Sequence, residues 1–125
     1  MAPIVLIDEG WLLDVAQTHV PGDPDITDYG ALAAAVARHR HEVMGTLVYP
    51  EPHHRAAALL HSLARIPALE HTNELYAAMT AYAYLQVSGQ QPKVTTDDAA
   101  DLVAATADGR LTIREVAAAL KTWTH

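Results

Sequence analysis

Eight histidines in 125 residues, with no cysteine beside them, set the first chemical question. His39 and His41 share a face if that stretch is extended, and His53-His54 can approach them from the start of the following helix. Imidazoles bind zinc, but a structural site wants four ordered ligands and a catalytic one three. No His-Glu-x-x-His or comparable spacing occurs. Solvated surface histidines are therefore the simpler reading, with a histidine metal site as the weaker alternative. His61, inside Leu59-Leu60-His61-Ser62-Leu63, is expected to be a hydrogen-bonded, partly buried core residue rather than a catalyst. Asp97-Asp98 and Asp23/Asp25 read as helix-start and loop charges. Tyr76, Tyr82 and Tyr84 read as core packing rather than a ligand cage. The lack of cysteine removes disulfides, thiolate nucleophiles and Cys-type zinc sites.

The rest of the composition narrows the class. Half the chain is apolar and 18% charged, enough for one packed core and too apolar for disorder. A single domain over residues 1–125 is expected. Fifteen Asp+Glu against eight Lys+Arg give a net charge of −7, which lacks the basic footprint of a nucleic-acid binder. No apolar run approaches the roughly 20 residues of a spanning helix. The opening Met-Ala-Pro-Ile-Val-Leu-Ile-Asp-Glu has no basic lead and its apolar run stops at Asp8. A cytoplasmic protein with no membrane partner is the expectation.

Hydrophobic spacing and breakers supply the elements. Residues 3–7 predict a short strand, and Glu9 to His19 a helix with Trp11, Leu12, Val15 and Ala16 on one face. Val20-Pro21-Gly22-Asp23-Pro24 ends it. A second helix opens at Asp28 and runs to about Arg38; a strand or small hairpin is predicted near Gly45. A third helix starts near Pro52 and runs to about Ile66, where Pro67 stops it, with Ala56, Leu59, Leu60 and Leu63 inward. A fourth runs from an N-cap at Thr72 to Gly89, apolar nearly all round, as in the buried centre of a bundle. Thr96 opens a fifth helix that Gly109 closes; Thr112-Ile113-Arg114-Glu115 is a capping box for a sixth, with the stripe Ile113, Val116, Leu120, Trp123. No glycine belongs to a G-x-G-x-x-G or Walker pattern. The fold class is all-α, about six helices with a short β element.

Two segments carry a further signal. Asp28-Tyr29-Gly30-Ala31-Leu32, through Val36-Ala37-Arg38 and Tyr49-Pro50, leads to Ala56-Ala57-Ala58-Leu59-Leu60-His61-Ser62-Leu63-Ala64-Arg65. With Tyr84 to Gly89 and Gly109-Arg110-Leu111-Thr112, this pattern resembles the Doc-type toxins of the Fic/Doc (Fido) family over about residues 4–125. The resemblance implies a compact helical fold whose active loop joins the third and fourth helices, and the toxin role in a toxin–antitoxin module. It also implies ATP with Mg²⁺, phosphoryl or nucleotidyl transfer to a protein hydroxyl such as that of a translation factor, and neutralisation by a small antitoxin from the adjacent gene.

Family members carry His-Pro-Phe-x-(Asp/Glu)-Gly-Asn-(Lys/Gly)-Arg in that loop. Histidine is the base, the acid holds Mg²⁺, and the remainder cradles phosphates. Aligned without a gap, Pro67 stands at the base, Ala68 and Leu69 at Pro and Phe, and His71 at the magnesium acid. Thr72 stands at Gly, Glu74 at Lys or Gly, and Leu75 at the phosphate-binding Arg; Asn73 alone is kept. Loss of the base removes a factor of about 10²–10⁴. A neutral imidazole suits Mg²⁺ poorly, and Glu74 repels phosphate from the helix start. The chain has no phenylalanine to restore the motif in another register, and its lysines, Lys93 and Lys121, lie far along the chain. Nor does it carry the family's inhibitory helix motif, since Glu9-Gly10 has Val5 at the hydroxyl position.

Two functional readings follow. One is a pseudoenzyme acting through its antitoxin or another protein partner. The other is a transferase with a rebuilt site, in which His71 and Asn73, beside Glu70, carry catalysis and Asn73 with Arg65 or Arg55 meets the nucleotide.

Overall fold

A computed structural model describes residues 4–124. Six helices form the body: α1 (Glu9–His19), α2 (Tyr29–His39), α3 (Pro52–Arg65), α4 (Asn73–Val87), α5 (Thr96–Ala107) and α6 (Ile113–Lys121). The short β element is an antiparallel hairpin, β1 (Glu42–Val43) with β2 (Thr46–Leu47). The architecture is all-α with a short β element. The hairpin turn has positive φ at both Met44 and Gly45, the backbone that matches right-handed strand twist in a two-residue loop.

Local chemistry explains the helix ends. Asp8 and Asp28 accept from Trp11 N and Ala31 N, so each carboxylate satisfies an orphan donor in the first turn. Pro52 sits in the first turn of α3, where its missing N–H costs nothing. The capping box at Thr112 and Glu115 is complete in both directions. The α5 cap is Thr95, whose hydroxyl accepts from Asp98 N, one residue before the position expected from sequence. Thr72 holds the cap position of α4, but its side chain makes no cap bond.

The centre of the bundle is α3 rather than α4. α3 packs against α2, α4, α5 and α6, and it buries Ala56, Ala57, Ala58, Leu59, Leu60, Leu63 and Ala64. The alanine run lets several backbones approach at once, which bulky side chains would prevent. α4 buries Tyr76, Ala77, Ala81, Tyr84 and Leu85, while Ala78, Met79 and Tyr82 are half-buried and Leu75 is exposed. Apolar residues all round a helix therefore did not mean burial all round; one side lines an open groove. α6 buries its stripe as expected, with Trp123 just beyond the helix.

The strand expected at residues 3–7 is not formed over residues 4–7, and Pro3 lies outside the described residues. The segment has no strand paired beside it. Side chains satisfy its backbone instead. Ile7 N donates to His39 Nε2 at 3.1 Å, Arg40 Nε donates to Ile7 O at 2.8 Å, and the Tyr84 hydroxyl donates to Val5 O.

That role removes His39 from the surface histidines. It is fully buried, at the end of α2. Because an amide N–H can only donate, Nε2 must accept, so Nδ1 carries the proton and donates to Arg55 O at 3.2 Å. The fold thus requires the neutral ring. Burial lowers its pKa to about 4, helped by the charges of Arg55 and Arg40 and opposed by the bond to the Arg55 carbonyl.

The unfolded chain binds this proton below about pH 6.5, while the folded one resists until near 4. Stability from His39 is complete above pH 6.5 and declines as the pH falls towards 4, by roughly 3 kcal/mol in total. Urea unfolding between pH 7.5 and 4.5 should follow that slope, and His39→Gln should flatten it. A His39 ring that titrates near 6.5 by NMR would contradict the assignment.

Candidate functional site

The α3–α4 loop, residues 66–72, is clamped by the α1–α2 loop. Leu69 forms an antiparallel bridge with Ile26. Ala68 O accepts from Thr27 N at 2.8 Å, Asp28 N at 3.2 Å and Thr27 Oγ1 at 3.3 Å. Glu70 N donates to Asp25 O, and Asp25 N donates back to Glu70 Oε1, both at 2.9 Å. Ala68 and Leu69 are buried, and Pro67 is exposed. The pairing needs the turn at Pro21-Gly22-Asp23-Pro24, in which Gly22 and Asp23 both have positive φ.

Asn73 opens α4 and turns its carboxamide back on the loop. Oδ1 accepts from Ala68 N at 3.1 Å and Leu69 N at 2.9 Å, and Nδ2 donates to Leu69 O at 2.9 Å. Three of its four hydrogen-bonding positions are thereby filled from its own loop. The side chain works as a clasp on buried backbone.

His71 is exposed and follows Glu70, with Nε2 lying 3.9 Å from Glu70 Oε1. Its Nδ1 is hydrogen-bonded to Thr72 Oγ1, and its ring lies against Gly22. Thr72 has φ +66°, a left-handed conformation that glycine adopts freely and a β-branched residue adopts only under strain. Glu74 and Leu75 are exposed in the first turn of α4, Leu75 at 40%. Glu70, His71, Thr72, Asn73, Glu74 and Leu75 therefore share one corner. It holds two carboxylates and an imidazole but no lysine or arginine from its own sequence.

Arg65 and Arg55 make their hydrogen bonds outside this corner. Arg65 Nη1 donates to Ala107 O at 3.0 Å, at the C-terminal end of α5. Arg55 is buried, donating to the Tyr84 hydroxyl at 2.7 Å and to Pro50 O at 2.8 Å. The tyrosines are framework: Tyr76 donates to Leu12 O at 2.7 Å, Tyr82 to Pro92 O at 3.0 Å, and burial pushes the Tyr76 phenol up. His61 is half-buried, bonded through Nδ1 to Arg38. His53 bonds Thr124 Oγ1 at 2.7 Å. Among the described residues no group of three histidines and acids is placed to hold a metal ion. No helix among them is long and apolar enough to cross a membrane.

Beside the loop corner runs a groove of about 430 Å³ between α4 and α5. Leu75, Ala78, Met79 and Tyr82 form one wall, Ala99 and Val103 the other, and Val94 and Trp123 close an end. Sequence reasoning treated these α4 residues as core. Only the all-round apolar pattern of α4 could have signalled a second apolar surface, and it did not say which side stayed open.

No family model matches the chain. A stretch of 70 residues is 44% identical to Toxin Doc of Mycolicibacterium smegmatis (strain ATCC 700084 / mc(2)155), covering 56% of this chain. The alignment spans 54% of that protein, so the chain spans about half the length of the curated relative it matches. The chain is thus similar over part of its length to a protein of the toxin class.

Two substitutions test the loop. Asn73→Ala leaves the Ala68 and Leu69 amides without their acceptor and should destabilise the protein by about 1–3 kcal/mol in urea melts. Thr72→Gly relieves the left-handed strain and should stabilise it by about 1 kcal/mol. A neutral Asn73→Ala would contradict the clasp.

Proposed function

We propose that this chain is a Doc-type member of the Fic/Doc (Fido) family, acting as the toxin component of a toxin–antitoxin module. In this reading it is a pseudoenzyme: a single cytoplasmic domain that works by binding its antitoxin or another protein partner. The observation that carries it is the state of the α3–α4 loop. Pro67 offers no base, the Asn73 carboxamide is folded onto Ala68 and Leu69, and Glu70 is held by Asp25 N. The backbone of Thr72 keeps a conformation suited to the glycine of the family motif, which supports the gapless alignment of the loop. The similarity to Toxin Doc supports the module.

Energetics favour partner over nucleotide at this corner. A triphosphate would meet Glu70 and Glu74 at the start of α4, with no local cation to offset them. The neighbouring groove suits an amphipathic helix laid with its apolar face inward, as an antitoxin segment would be. A small antitoxin encoded by the adjacent gene is the partner proposed.

A second reading keeps the family's chemistry in altered form. The contact between His71 and Thr72, with Glu70 nearby, places an imidazole beside a hydroxyl and a carboxylate. There His71 would serve as the base for transfer to a protein hydroxyl, such as that of a translation factor.

Calorimetry with Mg-ATP separates the two. The pseudoenzyme reading expects no heat at millimolar nucleotide and no label transfer to lysate; saturable heat with transfer lost in His71→Ala would replace it with the enzyme. Co-expression with the adjacent small reading frame should give a stable complex. Met79→Glu should weaken that complex at least about tenfold by placing a charge in the apolar groove.

A further inference from the structure

The outer side of α3 carries a cluster that the toxin reading does not use. His61 and Arg65 are four residues apart on α3 and so share a face. Arg38, in the last turn of α2, donates Nη1–H to His61 Nδ1 at 3.2 Å. Since that nitrogen accepts, the ring proton sits on Nε2. Arg65 is held from the α5–α6 turn. Its Nη1 donates to Ala107 O at 3.0 Å, and its guanidinium lies over Gly109, where a Cβ would come within 2.6 Å of Nη1. Arg38 and His61 are thus in contact, and Arg65, one turn further along α3, is held in place by a backbone carbonyl.

What they lack is an acid. Among the described residues the ion pairs of lysine and arginine are Arg110 with Asp108 and Lys121 with Glu51, and Glu70 lies beside His71. Asp108, in the turn that holds Arg65, is the partner of Arg110 at 3.2 Å. Arg38 and Arg65 are exposed and join none of these pairs. In a chain with fifteen acids and eight Lys+Arg, two exposed arginines in no ion pair run against the overall charge. Burial, with the fields of Arg38 and Arg65, holds His61 below its ordinary pKa, so the like charges already act on one another.

We infer that Arg38, His61 and Arg65 form a binding site for the phosphate group of a small anionic ligand. Guanidinium forks match phosphate oxygens in planar, bidentate geometry. Arg38 has further N–H donors besides the one given to His61, and Arg65 has donors besides the one given to Ala107. A bound dianion would also favour the charged imidazole. The charged ring offers its Nε2–H as a third donor, and its Nδ1, no longer an acceptor, releases the Arg38 N–H to the anion. This site is independent of the α3–α4 loop and of the antitoxin groove.

The test is ¹H–¹⁵N NMR of the full chain, titrated with sodium phosphate against sodium chloride of matched ionic strength. The expected result is saturable shifts at Arg38, His61 and Arg65 with a midpoint on the order of 1 mM. His61 should titrate at a higher pH in phosphate than in chloride. Arg38→Gln, on an exposed side chain, should weaken binding at least about tenfold. AMP run in parallel distinguishes the source: tighter binding than inorganic phosphate points to a nucleotide, equal binding to free phosphate, and both uphold the site. Identical shifts in chloride, or shifts spread equally over Arg110 and Arg114, would overturn it.

Discussion

The guanidinium of Arg55 is the constraint around which the molecule is arranged. It is 3% exposed, permanently charged, and has no carboxylate partner among the described residues. A buried charge without a counterion is costly, and hydrogen bonds to its donors offset part of that cost. Here the acceptors are the Tyr84 hydroxyl and the carbonyls of Tyr49 and Pro50. Tyr84 passes the connection on by donating to Val5 O, and the carbonyl of Arg55 itself receives the His39 proton. One cation thus ties the N-terminal segment, the end of α2, the exit of the hairpin, the start of α3 and the end of α4. Trp11 and His39 pack edge-on against the Tyr84 ring at 6.5 and 4.9 Å, which shields the network from water.

With that end of α3 fixed, the other end determines the loop. α3 leaves the core at Ile66, and two paired segments, residues 25–28 and 67–70, close over one another. The loop is therefore held by backbone pairing and by the Asn73 clasp, with its apolar residues Ala68 and Leu69 inside. An acid in the first turn of α4 suits the helix dipole and disfavours an anion at the same place. These forces all act towards a stable corner rather than an electropositive one.

Much of the fold was legible because its signals are local. The bounds of α1 and the capping box of α6 depend on residues a few positions apart, and the structure reproduces them. The hairpin at Gly45 follows from a residue that tolerates positive φ. His39 was read as a surface residue because nothing nearby in sequence shows that Ile7, thirty-two positions away, needs an acceptor. The strand expected at residues 3–7 failed for a related reason: an extended segment becomes a strand only if another supplies its ladder. Asn73 stands out in the sequence as a candidate site residue, but its partners are in its own loop.

By itself the sequence determined the helix count, the capping box of α6, the acid excess and the absence of lysine and arginine from residues 66–75, since these are properties of composition and short spacing. Tertiary structure alone decided that α3 is central, that one face of α4 stays open as a groove, and that Arg38 of α2 meets His61 of α3. Those outcomes depend on which faces of separate helices meet, and the free energy of that choice lies in contacts between residues far apart in the chain.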